Sequence, residues 1–368
     1  MKIVVLGTRG IPEVQGGVET VCQELYPRIA SHGHDVTLIC RAPYVKDKGI
    51  TEYRGVKLVS LYAPKKKSLE AIVHTFLAVL KARRLRPDIV HFHAVGPSVM
   101  IPLARILGLK VIMTNHGPDY EREKWGRLAR LVLKTGEMLS ARLSSRIISI
   151  SPVITRSLKM KYGCGNKIVE IPNGVHVSEN TVDKNVLEYH GLEVGKYVVA
   201  LGRLVPEKGF HDLIAAYKAI RSTSDFKIVI AGDADHADDY SQQLKRTAAE
   251  TPGVVMTGFI RGAELHTIMA CAGLFVMPSY HEGLPVAMLE AMSYGLDVLC
   301  SDIPACMIPE LNADDHFPTG DIKALADGLQ RKMLHAGHRQ YNLKRYNWDT
   351  IAIETVQVYE SALKDNDK

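Results

Sequence analysis

"MKIVVLGTRGIPEVQGGVETVCQELYPRIASH", residues 1–32, decides how the rest of the chain is read. It opens on a short apolar run, KIVVLG, that does not alternate with polar residues. Such a run fits a strand covered by helices on both faces, the usual state of a strand in a parallel sheet. A loop carrying Gly7, Gly10, Gly16 and Gly17 follows, and residues 17–32 then show the mixed pattern of an amphipathic helix. DVTLIC, at 35–40, is the next strand. Strand, glycine loop, helix and strand in that order begin a parallel α/β sheet.

The rhythm continues outward from there. VKLVSL, DIVHFH, KVIMTN, RIISIS and KIVEIP read as further strands, with helices over 68–86, 121–145 and 152–162. The polar, turn-rich stretch 172–195 reads as a linker, after which YVVALG, FKIVIAG, VVMTGF, LFVMPS and DVLCSD restart the pattern. The chain of 368 residues is long for one core. Two doubly wound α/β domains are therefore expected, over 1–172 and 173–346, with ligands where strand C-termini face a cleft. A last apolar helix, near 348–363, comes after the second domain is complete and must pack elsewhere, so 347–368 stands as a third segment.

Composition narrows the function classes. Hydrophobic content of 46% and charged content of 23% describe a globular protein. No apolar run is long enough to span a bilayer, and the opening residues are too short and polar-flanked for a signal peptide. The six cysteines lie far apart without a CxxC pair, which predicts reduced, buried thiols, a cytoplasmic place and no structural zinc. A net charge of +6 suits an anionic ligand or surface but does not mark a nucleic-acid binder.

Chemistry concentrates in three loops. In "HEGLPVAMLE" (281–290) two carboxylates, Glu282 and Glu290, stand in an otherwise apolar segment. Burying a charge is costly unless a partner holds it. With Pro285 as the first helical residue, Glu282 lies in the preceding loop and Glu290 in the second turn. The N–H groups of Gly283 and Leu284, with the helix dipole, suit a phosphate. Glu290 can accept two hydrogen bonds from a ribose diol, and Glu282 can take hydroxyls of an attached sugar. Taken alone, the pair reads sooner as a helix-start charge and a solvated glutamate, and it is the rest of the chain that turns the reading toward a ligand. "GRLVPEKG" (202–209) places Arg203 and Lys208 where two cations can grip a diphosphate and stabilise it as a leaving group. Gly16 and Gly17 let backbone approach a diphosphate at the start of a helix. The dinucleotide fingerprint is absent: Gly7 and Gly10 do not make GxGxxG, and the second strand ends in Arg41 rather than an acid.

These motifs, in this order and spacing, resemble the family 4 glycosyltransferases, retaining enzymes of the two-Rossmann GT-B fold. "PDIVHFH" resembles the family's core N-domain strand, "IPNGV" its interdomain hinge and "YNWDTIAIETVQVYESAL" its closing helix. The resemblance implies an acceptor-side N-terminal domain, a nucleotide-sugar-binding C-terminal domain, and a final helix that crosses back onto the first. The opening "GTRGIPEVQGGVET" is similar to a subgroup tied to bacterial surface polysaccharides, some of whose members transfer rhamnose. It further implies that His116, in "TNHGPD", lies beside the donor sugar, and that the departing diphosphate takes the acceptor's proton. No metal and no cofactor are then expected, and the acceptor is a glycan or a polyprenyl-linked sugar.

Three further features receive expectations. His91 and His93 lack a third ligand and read as packing rather than a metal pair. The DxD in "GDADHADD" (232–239) stands where the family usually has Gly-Asp-Gly-Pro, and reads as a metal-free loop. In 65–86 an apolar stripe (Leu69, Ile72, Val73, Phe76, Leu77, Leu80) is expected to face its sheet. The cations Lys65, Lys66, Lys67, Lys81, Arg83, Arg84 and Arg86, with Arg122, Lys124, Arg127, Arg130 and Lys134, suit an anionic membrane surface. Base recognition falls near Gly258 and Phe259. Two rival readings use the same donor site: a nucleotide-sugar 2-epimerase, and a non-catalytic nucleotide-sugar-binding subunit.

Overall fold

A computed structural model describes residues 1–14, 16–45, 49–64, 67–117, 120, 126–175, 182–223, 225–234 and 237–364. The chain divides into two compact units, Met1–Gly174 with Lys344–Lys368, and Val175–Leu343.

The first unit holds a sheet of eight strands: β1 (Lys2–Leu6), β2 (Asp35–Arg41), β3 (Glu52–Tyr53), β4 (Val56–Leu61), β5 (Ile89–His93), β6 (Val111–Asn115), β7 (Arg146–Ser149) and β8 (Ile168–Glu170). Their spatial order is β3-β4-β2-β1-β5-β6-β7-β8, parallel throughout except for β3 against β4. Val5 of β1 stands opposite Leu38 on one side and His91 on the other, which puts His91 in the centre of the sheet. The second unit holds β9 (Tyr197–Leu201), β10 (Lys227–Ala231), β11 (Val254–Gly258), β12 (Leu274–Met277), β13 (Val298–Ser301) and β14 (His316–Phe317). They are parallel, in the order β11-β10-β9-β12-β13-β14. Strands β3 and β14 escape the sequence pattern because two residues show no period, and both lie at sheet edges.

The helix Trp348–Lys364 belongs to the first unit. Trp348, Ile351, Ala352, Val358, Tyr359 and Ala362 share one buried cluster with Val21, Leu25 and Ile29 of the helix Gly17–Ser31. Gly174 explains part of this seating: a Cβ there would come within 2.4 Å of the Trp348 ring, so only glycine lets the indole lie against the backbone.

Three expectations need correction. The segment read as a linker contains a helix, Lys184–Tyr189, whose start is capped by Asp183 accepting from the Asn185 N–H at 3.0 Å. In the helix Lys67–Leu85 the apolar stripe does not face the sheet. The fully buried side carries His74, Thr75, Ala78, Val79 and Ala82, with His74 Nε2 at 3.1 Å from the Cys40 carbonyl. Ile72, Val73, Leu77 and Leu80 are only half-buried, and Phe76 is 43% exposed. The cause is Glu70, which accepts from Arg41 and Tyr44 beside the sheet and turns the polar edge of the helix inward. The cations also do not form one cluster. Nineteen helical residues at about 1.5 Å each hold the two ends of this helix roughly 27 Å apart. Lys65, Lys66, Arg122 and Lys124, and the side chains of Lys67 and Leu69, lie outside what is described. All six cysteines are buried and unpaired, and among the described residues no helix is long and apolar enough to cross a membrane.

Candidate active site

In the second unit, β9 ends at Leu201 and the chain runs through Gly202 and Arg203 into a tight turn, Pro206–Lys208. Gly209 closes that turn at φ 64°, and a Cβ there would meet the Pro278 carbonyl at 2.0 Å. The turn is thus pressed against the segment after β12, and the Tyr280 N–H donates to the Glu207 carbonyl at 2.8 Å. Gly232, at the end of β10, packs as closely on the Gly202 backbone, where a Cβ would sit 1.9 Å from its carbonyl oxygen. Three strand ends are drawn together by glycines, and the side chains they carry converge.

The product of that convergence is an ion pair. Lys208 Nζ lies 2.5 Å from Glu282 Oε1, and Ser279 Oγ donates to the same oxygen at 2.8 Å. Their side chains are 18% and 13% exposed, so water screens the pair only in part. The partner that a half-buried Glu282 requires is therefore Lys208, seventy-four positions earlier in the chain. Arg203 is half-buried on the same loop. Tyr280 donates to Asp212 at 2.6 Å, and its ring stacks on His211 at 6.1 Å between centroids. That hydrogen bond to a carboxylate, with burial second, pushes the Tyr280 phenol up to about 12.

The helix after this loop spans Val286–Ser293, with Pro285 as the residue that caps it rather than its first turn. Glu290 stands in the second turn, half-buried, as the spacing predicts. Among the described residues, the N–H groups of Gly283 and Leu284 donate to no protein acceptor. Gly258 is at φ 70°, and its carbonyl accepts from the Gly232 N–H at 2.8 Å, while Phe259 is exposed. A concavity of about 390 Å³ runs beside them, lined by Gly232, Lys245, Ala248, Ala249, Val254, Met256 and Gly258. Asp233 of the DxD is bound by Lys245 at 2.7 Å and by the Ala234 N–H at 2.8 Å, and its hydrogen bond to Lys245 holds the carboxyl below its ordinary value. Asp235 lies outside the described residues.

In the first unit, Gly16 (φ 147°) caps the helix Gly17–Ser31. The space a Cβ would fill there belongs to Glu19, whose Oε2 would be 2.0 Å away. Glu19 also accepts from the Arg9 N–H at 2.8 Å and from Thr8 at 3.2 Å, tying the glycine loop to its helix. Gly17 has nothing within 4 Å of its Cβ position and is the open point of approach. His116 follows β6, half-exposed, with Nε2 at 2.9 Å from His93 Nδ1. His91 and His93 are buried and hydrogen-bonded to tyrosine and threonine hydroxyls, which accounts for both as packed groups. Among the described residues no three His, Cys, Asp or Glu side chains are placed to hold a metal. Sequence reasoning missed Ser279 and Glu19, since each matters through a contact that only the folded loops create.

Known proteins align with this architecture. Residues 15–179 match the family described as Glycosyltransferase Family 4, and residues 195–334 that described as Glycosyl transferases group 1. An uncharacterized glycosyltransferase of Methanocaldococcus jannaschii is 26% identical, over 99% of each chain. The UDP-Gal:alpha-D-GlcNAc-diphosphoundecaprenol alpha-1,3-galactosyltransferase of Escherichia coli is 27% identical, over 87% of this chain and 86% of its own. The solved structure of sucrose-phosphate synthase from Thermosynechococcus elongatus superposes with a TM-score of 0.82 at 20% identity, over 99% of each chain. The two parallel-sheet, Rossmann-like units make the GT-B fold.

Proposed function

This chain belongs to glycosyltransferase family 4, and on that footing we propose that it moves a sugar, with retention, from a nucleotide diphosphate donor to a lipid-linked or glycan acceptor in surface polysaccharide synthesis. The observation that carries the reading is the Lys208–Glu282 pair seated on Ser279. An ammonium and a carboxylate held side by side match a donor whose diphosphate and sugar hydroxyls are neighbours. Arg203 and Lys208 neutralise the leaving diphosphate, Glu282 binds sugar hydroxyls, and Glu290 binds the ribose diol. The Gly283 and Leu284 N–H groups receive phosphate oxygens, Gly17 admits the donor on its open side with Gly16 shaping that turn, and Gly258 borders the base. His116 hydrogen-bonds the transferred sugar.

In the reaction the anomeric carbon–oxygen bond breaks and its electron pair leaves with the diphosphate. The acceptor oxygen bonds to the same face of that carbon, and its proton passes to a departing phosphate oxygen. Two side-chain cations supply the charge neutralisation, so no divalent metal is required. The Escherichia coli galactosyltransferase is named for a UDP-sugar donor and a diphosphoundecaprenol-linked acceptor, and substrates of that chemistry are the first to try. None of the three relatives above is named as an epimerase or a binding subunit.

An acceptor of that kind lies in a membrane, and the helix Arg127–Leu143 offers a face to meet it. Leu128 and Leu131 are 76% and 61% exposed there, among the exposed cations Arg127, Arg130 and Lys134. The face suits the cytoplasmic surface of an anionic membrane. The test is nucleoside diphosphate release from UDP-, GDP- and dTDP-sugars with polyprenyl diphosphate-linked sugars, with product stereochemistry read by NMR. Tight binding of one donor with no turnover, across all acceptors, would overturn the transferase reading.

A further inference from the structure

Behind His116 runs a line of buried hydrogen bonds that the transfer reaction leaves unexplained. His116 Nε2 lies 2.9 Å from His93 Nδ1, and His93 Nε2 lies 2.5 Å from the Tyr26 hydroxyl. The rings of His93 and His116 stack at 5.2 Å between centroids. His91 lies alongside: Nδ1 is 2.6 Å from the Tyr359 hydroxyl and 2.9 Å from that of Tyr26, and Nε2 is 2.7 Å from Thr114 Oγ1. Tyr26, His91, His93 and Tyr359 are fully buried. Burial, with the other two histidines of the row, keeps His93 well below its ordinary value and hence neutral.

A neutral imidazole carries one proton, so what one ring nitrogen does dictates the other. A phenol is the stronger donor and an imidazole nitrogen the stronger acceptor, which orients a phenol–imidazole contact as O–H donating to N wherever the phenol has a proton to give. Tyr26 has one proton for three neighbours, His93 Nε2, His91 Nδ1 and the Tyr359 hydroxyl, and its shorter imidazole contact, to His93, takes it. Tyr359 serves His91 Nδ1, and His91 then donates from Nε2 to Thr114. With Nε2 accepting from Tyr26, His93 carries its proton on Nδ1 and donates to His116 Nε2. That leaves the proton of a neutral His116 on Nδ1.

We propose that Tyr26 is a positioning residue, acting through His93 to hold His116 as the Nδ1–H tautomer, so that the ring presents a donor to an oxygen of the transferred sugar. The inference rests on His116 lying beside that sugar. Tyr359, from the C-terminal helix, completes the row by occupying His91, which leaves the Tyr26 proton for His93. A tautomer lock of this kind fixes the ring's role before substrate arrives, where an unlocked ring would divide between donor and acceptor.

The experiment is nitrogen-15 NMR of histidine-labelled protein at a pH where His116 is neutral, its signals assigned by their loss in His116→Gln. The expected result is a pyrrole-type Nδ1 and a pyridine-type Nε2 for His116 in the wild type. Tyr26→Phe is expected to move both signals toward averaged positions, and Tyr359→Phe to move them in the same direction by less, since His91 then competes with His93 for the Tyr26 proton. A pyrrole-type Nε2 in the wild type, or a Tyr26→Phe spectrum with His116 unchanged, overturns the inference. Unchanged affinity of His116→Gln for UDP-galactose, in a wild type that binds it, would instead remove His116 from the sugar site. The tautomer assignment would survive that result, so the two failures are distinguishable.

Discussion

At the scale of single residues, the Lys208–Glu282 contact separates catalysis from binding. Interactions that strengthen as charge develops on the leaving diphosphate accelerate the chemistry, and those present equally in the resting complex do not. Lys208→Ala is therefore expected to lower turnover by about a hundredfold or more, with a smaller loss of donor affinity. Steady-state kinetics beside calorimetry of donor binding would show that split, and equal losses in both would remove Lys208 from the transition state. Glu290 is expected to act on binding itself. Losing hydrogen bonds to a charged group costs about 1.5–3 kcal/mol, so Glu290→Ala should weaken the free nucleoside diphosphate by that amount. A chelator is expected to leave wild-type turnover unchanged. The types and spacing of these residues were legible in the chain, but the pairing of Lys208 with Glu282 was not. It arises where Gly209 and Gly232 let three strand ends touch.

Among the elements, the helices of the first unit depart furthest from their sequence pattern. A period of 3.6 says which residues share a face, not which face meets the sheet. Glu70 and His74 are held at the sheet by Arg41, Tyr44 and the Cys40 carbonyl, and Gly136 lets the helix Arg127–Leu143 press on the Val95 backbone. Those contacts, made with residues distant in sequence, set the rotation of each helix. The outward leucines and cations of Arg127–Leu143 lead to a test. Replacing Arg127, Arg130 and Lys134 with Gln should lower association with anionic vesicles, at about 1 kcal/mol for each charge. Rising salt should release the wild type, since the attraction is screened within about 8–10 Å at working ionic strength. Vesicle sedimentation reads both, and salt-insensitive association would assign the contact to Leu128 and Leu131.

Over the whole molecule, each unit depends on a tie between distant stretches. In the second, Lys332 and Arg339 share Asp297 and Asp315, with Lys332 Nζ 2.5 Å from Asp315 Oδ1 and Arg339 at 2.8 Å. Burial alone would raise the Asp315 carboxyl, but the Asn312 N–H and these two cations bring it below the ordinary value. A carboxyl depressed in the folded state stabilises above its unfolded pKa and loses that contribution as pH falls through its folded one. Thermal stability should therefore drop on acidification below about pH 4. Asp315→Asn should cost about 3–5 kcal/mol at neutral pH and flatten that acid slope. In the first unit, Gly174→Ala should cost about 1–3 kcal/mol by crowding Trp348, and denaturant unfolding would measure it. The sequence by itself determined the twelve longer strands, both Rossmann-like rhythms and the order of the site loops. Those features rest on local patterns: unbroken apolar runs, glycine loops and helix periods. Tertiary structure alone decided that Glu282 is held by Lys208, and that Glu70 and His74 of Lys67–Leu85 are held by Arg41 and the Cys40 carbonyl. It also decided that Tyr26, His93 and His116 form one line. Each of these is a contact between residues far apart in the chain, and no period or spacing along the chain encodes which side chains close packing will bring together.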